Sequence, residues 1–284
     1  AQQTNSLNIR ILIGAPWHVD NKIYNALISI FKGSIEVVSK KSHLPNYDVF
    51  DEKRFFVSAD ELELLDLGTL KIGFPICEDV WHPDIVARLK NMGADLIIIP
   101  NGSPYESSKL AERQATIKRR CKESNLPIIY LNLVGGQDDL VFDGGSFVCE
   151  HDGEILCQFP QFVEKNWQVI LERKKNSWVL LPHSVAEIGS RQSQDYKAVV
   201  LGLKDYVLKS NFHKVVIGLS GGIDSALVAV MARDALGPEN VVCLALPSKY
   251  NSKASLDDAR RLSKNLGINF EIITIQEIID KVDQ

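Results

Sequence analysis

Lys214-Val215-Val216-Ile217-Gly218-Leu219-Ser220-Gly221-Gly222-Ile223-Asp224-Ser225 runs an apolar strand pattern straight into a glycine turn, and the helical pattern Ala226-Leu227-Val228-Ala229-Val230-Met231 follows at once. Paired glycines let the backbone fold tightly and turn several N–H groups toward one point. The helix behind them aims the positive end of its dipole at the same place. Together these make a cradle for phosphate. Ser220 and Ser225 can add hydroxyl donors, while Asp224, an acid in an anion site, makes sense as a ligand for a Mg2+ ion carried with a nucleotide. The spacing does not fit Gly-x-x-x-x-Gly-Lys-Ser/Thr, because no lysine follows the glycines. A plain glycine turn is the competing reading, and the strand and helix on either side weigh against it.

Working outward, a helix over 196–207 leads into the cradle. Strands at 241–246 and 270–274, separated by a helix over 256–266, continue a βαβ series. Leu246-Pro247-Ser248-Lys249-Tyr250 falls at the end of the next strand, where a doubly wound sheet places its ligand crevice. Only the opening units of such a sheet are expected in this stretch. Residues 173–195 have weak periodicity and read as a linker, which divides the chain into 1–172, 173–195 and 196–284. The first of these reads as short apolar strands at 9–13, 24–30, 35–39, 70–74, 96–100, 128–133, 146–150, 155–159 and 167–171. Two helices are mixed among them. Pro83 opens one over 84–91, closed by Gly93; the other, over 106–124, turns Leu110, Ala115 and Ile117 inward. His151-Asp152-Gly153 signals a hairpin. The class is layered α/β.

Composition narrows the function. The chain has 284 residues, 45% hydrophobic and 24% charged, enough for about two domains with real cores. A net charge of −4 without basic clusters disfavours nucleic acid as a partner. The apolar runs are strand-sized, so no membrane span is expected, and no signal-peptide pattern opens the sequence. Five cysteines without a Cys-x-x-Cys pair or histidines at zinc spacing suggest reduced thiols in the cytoplasm and no structural metal.

One of those cysteines stands apart. Cys77 lies in Gly73-Phe74-Pro75-Ile76-Cys77-Glu78-Asp79-Val80-Trp81, directly after an apolar strand and just before a helix. There, helix N–H groups or a lysine could make thiolate available. Alone, such a thiol reads equally as a packed core cysteine. Two irregular segments change the balance: Lys41-Ser42-His43-Leu44-Pro45-Asn46-Tyr47-Asp48-Val49-Phe50-Asp51-Glu52 upstream and Pro100-Asn101-Gly102-Ser103-Pro104-Tyr105 downstream.

With these segments the chain resembles the carbon–nitrogen hydrolase (nitrilase) superfamily, whose Glu-Lys-Cys triad cleaves amides through a thioester. Lys-x-His-Leu and Ile-Cys-Glu-Asp-x-Trp are similar to its glutamine-hydrolysing branch. The resemblance implies an αββα sandwich with Cys77 as nucleophile, Lys41 stabilising the oxyanion, Glu52 orienting the lysine, and Tyr47 and Ser103 in the substrate pocket. It places the general-base glutamate on a strand upstream of Gly14-Ala15-Pro16-Trp17, yet no glutamate precedes Glu36, so segments beyond both ends of this sequence are expected. The glycine turn resembles the loop of ATP pyrophosphatases, which cleave between the α- and β-phosphates. That likeness assigns Ser220, Gly221, Gly222, Ile223, Asp224, Ser225 and Leu246 to ATP and Asp224 to Mg2+.

A nitrilase-type domain ahead of a pyrophosphatase loop resembles the glutamine-dependent NAD+ synthetase family. The likeness implies glutamine, ATP and deamido-NAD+ as substrates, ATP and Mg2+ as cofactors, and a homo-oligomer. Two other readings compete: a nitrilase-like amidase with a different adenylating partner, and a nucleotide-binding scaffold without catalysis.

Overall fold

The computed structural model describes residues 1–174, 177–181, 184–249 and 252–282. The chain divides into two compact units, Ala1–Val134 with Phe142–Ile188, and Gly135–Val141 with Gly189–Gln284.

The first unit opens with an antiparallel meander of β1 (Ile11–Val19), β2 (Lys22–Phe31) and β3 (Ser34–Lys40). Both of its turns are two-residue loops with positive φ throughout, at Asp20-Asn21 (49° and 59°) and Lys32-Gly33 (45° and 80°), whose twist matches that of paired strands. The expected strand at 9–13 begins at Ile11 and continues through Pro16 to Val19. Proline is tolerated because β1 is an edge strand.

β4 (Leu64–Asp66), β5 (Lys71–Gly73), β6 (Leu96–Asn101), β7 (Ile128–Asn132), β10 (Phe147–Cys149) and β11 (Ile155–Gln158) form a six-stranded sheet in the order β11-β10-β7-β6-β5-β4; β8 (Val134–Gln137) and β9 (Leu140–Asp143) pair separately. Strand alternation gives this sheet two apolar faces. Ile97, Ile99, Ile128 and Tyr130 pack under α1 (Pro83–Asn91) and α2 (Lys109–Ser124), while Leu96 and Ile72 meet Leu27 and Val38 of the meander. Helices, six-stranded sheet and three-stranded sheet therefore stack as the α, β and β layers of a nitrilase-like αββα sandwich.

Several expected elements shift. Helix α2 starts at Lys109 rather than 106, and Ala115 faces solvent while Arg113 and Thr116 turn inward. Residues 167–170 are not strand: Trp167 stacks on Phe159 with ring centroids 4.6 Å apart, so the apolar pattern reflects packing without a ladder. The expected linker begins inside a hairpin of β12 (Leu171–Lys174) and β13 (Ser177–Leu180), and its Lys175, Asn176, Pro182 and His183 lie outside the described residues.

In the second unit α3 (Arg191–Lys209) starts five residues before the expected 196, because Ser190 caps it by accepting the Ser193 N–H. A parallel sheet in the order β14-β15-β16 follows, made of β14 (Val215–Gly218), β15 (Val241–Ala245) and β16 (Asn269–Ile272). The crossovers are α4 (Ile223–Leu236) and α5 (Lys253–Leu266), and α6 (Gln276–Val282) comes last. Ala229 and Ala232 of α4 and Ala259 of α5 pack on Val241 and Cys243, so both crossover helices cover the same face of this parallel sheet. Small helix residues let the helices lie close to the sheet.

Candidate active sites

Cys77 opens a 3-10 turn, Cys77–Val80, just beyond β5. Its φ is +48°, a left-handed conformation that costs a non-glycine residue about 1–2 kcal/mol. The surroundings must hold that strain, and Asp79 supplies much of the hold. Its buried carboxylate accepts the Ile76 N–H on Oδ2 (2.9 Å) and the Ser42 and His43 N–H groups on Oδ1 (3.0 and 2.7 Å). One side chain thus ties the cysteine turn to the segment that carries Lys41. Burial raises the Asp79 carboxyl pKa above its usual value, and the three backbone N–H donors work against the rise. Asp79→Ala leaves three enclosed N–H groups unpaired at about 1–3 kcal/mol each, so an overall loss of roughly 3 kcal/mol or more is expected in denaturant unfolding. A loss below about 1 kcal/mol would show that water replaces the carboxylate.

Lys41 lies just past β3, 1% exposed, with Nζ 2.6 Å from Glu52 Oε1. A lysine this enclosed needs a charged partner. Its backbone is fixed as well, the N–H donating to Asn25 O (2.8 Å) and the carbonyl accepting from Ala59 N (3.1 Å). Burial pushes the Cys77 thiol pKa up; the Lys41 charge and an N–H bond from Gly102 oppose the rise, while Glu52 and Glu78 add to it. Cys77, Lys41 and Glu52 are therefore brought together, with the lysine as the main group favouring thiolate.

Tyr47 is half exposed on a cavity of about 660 Å³ that Glu78, His43 and His82 also line. Its hydroxyl donates to Glu78 Oε2 (2.8 Å), and partial burial followed by this carboxylate holds the phenol pKa above its ordinary range. Ser103 is buried next to Gly102, its N–H donating to Asn132 Oδ1 (2.9 Å). Reading the sequence for roles passed over Asp79, Glu78, Gly102 and Arg113. The one available signal was an arginine in register with Leu110 and Ile117 on the inward face of α2.

In the second unit the turn after β14 is knit by its serines. Ser220 Oγ lies 3.0 Å from Ser225 Oγ and accepts the Gly222 N–H (3.2 Å), and Ser225 Oγ accepts the Ser220 N–H (3.2 Å). Gly221 has φ +84°, and a Cβ there would lie 2.2 Å from the Ser255 carbonyl oxygen in the first turn of α5. The turn of α4 thus meets the start of α5, so two helix N-termini face one crevice at the carboxyl ends of β14 and β15. A cavity of about 250 Å³ lies there, lined by Ser220, Leu244, Ala245, Leu246, Pro247 and Ser255 among others. Ile223 is 79% exposed, and its apolar side chain has no polar atom to offer a phosphate, which leaves its backbone N–H as the phosphate donor. Asp224 stands exposed in the first turn of α4, as a single carboxylate suited to a Mg2+ ion whose other ligands are phosphate oxygens and water. Among the described residues no group of three or more His, Cys, Asp or Glu could hold a metal ion. Tyr250 and Asn251 of the neighbouring loop lie outside the described residues.

A cysteine in a left-handed turn, packed against the core between two sheets and close to a buried lysine paired with a partly buried glutamate, fits a carbon–nitrogen hydrolase. The chain belongs to that family: residues 1–174 match its model, Carbon-nitrogen hydrolase. Residues 195–284 match the model of NAD synthase. The chain is 47% identical over 264 residues, 93% of its length, to the glutamine-dependent NAD(+) synthetase of Rhodobacter capsulatus, and covers 48% of that protein. It is 39% identical to the enzyme of the same name from Aquifex aeolicus, over 97% of this chain and 54% of that protein. Among solved structures, the glutamine-dependent NAD+ synthetase of Acinetobacter baumannii in complex with adenosine diphosphate superposes with a TM-score of 0.91 at 35% identity, over 99% of this chain and 53% of that one. The chain spans about half the length of the curated relatives it matches.

Proposed function

We propose that this chain carries the glutamine-hydrolysing and ATP-binding parts of an enzyme that amidates deamido-NAD+ to NAD+. The observation that carries the reading is the presence of both centres on one chain, Cys77 with Lys41 and Glu52 in the first unit and the turn 220–225 in the second. On this reading residues 1–172 form the glutaminase, 173–195 the linker and 196–284 part of the synthetase. Cys77 attacks the glutamine carboxamide, and the Lys41 ammonium, oriented by Glu52, stabilises the oxyanion. Tyr47 and Ser103 border the glutamine pocket. Ammonia leaves, and hydrolysis of the thioester releases glutamate.

At the second centre Ser220, Gly221, Gly222, Ser225 and the Ile223 N–H hold the phosphates of ATP, with Leu246 against the nucleoside. Asp224 would hold Mg2+, which when bound offsets phosphate charge. The nicotinate carboxylate attacks the α-phosphorus and expels pyrophosphate; ammonia then displaces AMP from the acyl adenylate and a proton is released. The partners are these small molecules and, by family likeness, further copies of the chain, in the cytoplasm. Among the described residues no helix is long and apolar enough to cross a membrane. The full-length gene product given ATP, deamido-NAD+ and glutamine should form NAD+, AMP and pyrophosphate in equal amounts. Release of ADP and phosphate, or AMP formation indifferent to deamido-NAD+, would contradict the reading.

A further inference from the structure

The first unit contains an enclosed ion pair that the chemistry above does not use. The side chains of Arg113, on the inner face of α2, and Asp143, at the end of β9, are 0% and 1% exposed, with Nη1 2.8 Å from Oδ1. Gln161 Nε2 donates to the other carboxylate oxygen (2.8 Å). Taking two charges out of water is expensive, and a pair like this is weak evidence for stability. What it holds is more telling.

The remaining donors of Arg113 converge on one short loop at the end of β6. Nε donates to Ser103 Oγ (3.1 Å), and Nη2 donates to the carbonyls of Ser103 (2.9 Å) and Pro104 (2.7 Å). Asn132 holds the same loop through its own side chain, accepting the Ser103 N–H and donating to the Ser103 carbonyl (3.1 Å). The residue just before this clamp is Gly102, directly after β6, the strand that the Cys77 turn packs against, and its backbone N–H favours the Cys77 thiolate.

We propose that Arg113, oriented by Asp143, is a positioning residue for the Cys77 thiolate: it fixes residues 103–104 and so keeps the preceding Gly102 N–H facing the cysteine turn that packs against β6. The proposal rests on Cys77 being the nucleophile. Burial disfavours the thiolate at this site, and Lys41 with the Gly102 N–H oppose that cost. An N–H donor stabilises the charged form of the acceptor it faces. If the loop slackens, Lys41 still acts but the second support is lost. Guanidinium suits the task because its planar fork spreads donors over three nitrogens in a fixed geometry, whereas an ammonium offers its donors from a single atom.

The test is the pH profile of Cys77 alkylation by iodoacetamide in the full-length gene product, read by mass spectrometry of the Cys77 peptide, for the wild type, Arg113→Lys and Asp143→Asn. Both changes are conservative in size, and thermal melts identify folded variants. The profile is expected to move up by about one pH unit, making alkylation about 10-fold slower at a fixed pH below the thiol pKa, with glutaminase kcat falling in parallel. A purely structural pair would lower the melting temperature without moving the profile. An unmoved profile in a folded Arg113→Lys protein overturns the proposal, as does loss of cooperative folding in both variants. Failure of the nucleophile reading looks different: Cys77→Ala would then keep its glutaminase activity whatever the Arg113 variants do.

Discussion

In Cys77→Ala, glutamine-driven NAD+ formation is expected to fall by at least about 10⁴-fold, because no nucleophile remains to form the thioester and the residual groups only bind and polarise the amide. Synthesis driven by added ammonium should continue at the wild-type rate, since the turn at 220–225 lies in the other unit and needs only ammonia. The substitution is also gentle on the fold. Alanine removes the sulfur and relieves nothing else, for the left-handed φ of +48° is set by the turn and by Asp79. Both rates are read in one assay of NAD+ by switching the nitrogen donor. Equal loss with both donors would mean that the substitution damages the whole protein. Retained glutamine-driven turnover would mean that the nucleophile lies elsewhere.

How much of this was legible in the sequence depends on the range of the signal. The phosphate turn was readable because its chemistry is local: strand, paired glycines, serines and helix follow one another within about a dozen residues, and each has a conformational reason to be there. The grouping of Cys77 with Lys41 and Glu52 was legible only through family likeness, for periodicity alone cannot tell which strand ends meet. What stayed hidden was the support. Asp79 reads as one more acid beside Glu78, although it accepts three backbone N–H groups from two segments more than 30 residues apart. Arg113 shows only its register with Leu110 and Ile117, which says that it turns inward but not which groups it holds. Displaced elements have a similar origin. Trp167 and Val169 have an apolar pattern fit for a strand, but they pack beside Phe159 and Leu180 outside any sheet. The start of α3 depended on a serine cap in a stretch that otherwise reads as linker.

The second large effect is expected at Gly221. A side chain there meets two objections at once: a φ of +84°, which costs an L-residue about 1–2 kcal/mol, and a Cβ placed 2.2 Å from the carbonyl oxygen of Ser255, a backbone atom fixed by the first turn of α5. Gly221→Ala must therefore push the 220–225 turn away from α5 or reshape it, and the crevice loses the convergence of two helix N-termini. Losing preorganised donors at a site of developing charge costs about 10²-fold or more in rate, so synthesis should fall by that factor with either glutamine or ammonium. Asp224→Asn probes the same centre without touching the backbone. It removes one negative charge beside the phosphates, and the loss should be partly recovered by raising Mg2+ if the carboxylate acts as a metal ligand. Glutamine hydrolysis, assayed as glutamate release, reports on the other unit and serves as the folding control. A Gly221→Ala protein that makes NAD+ from ammonium at the wild-type rate would show that nucleotide phosphates bind away from this turn. An Asp224→Asn protein indifferent to Mg2+ concentration would remove the metal from that residue alone.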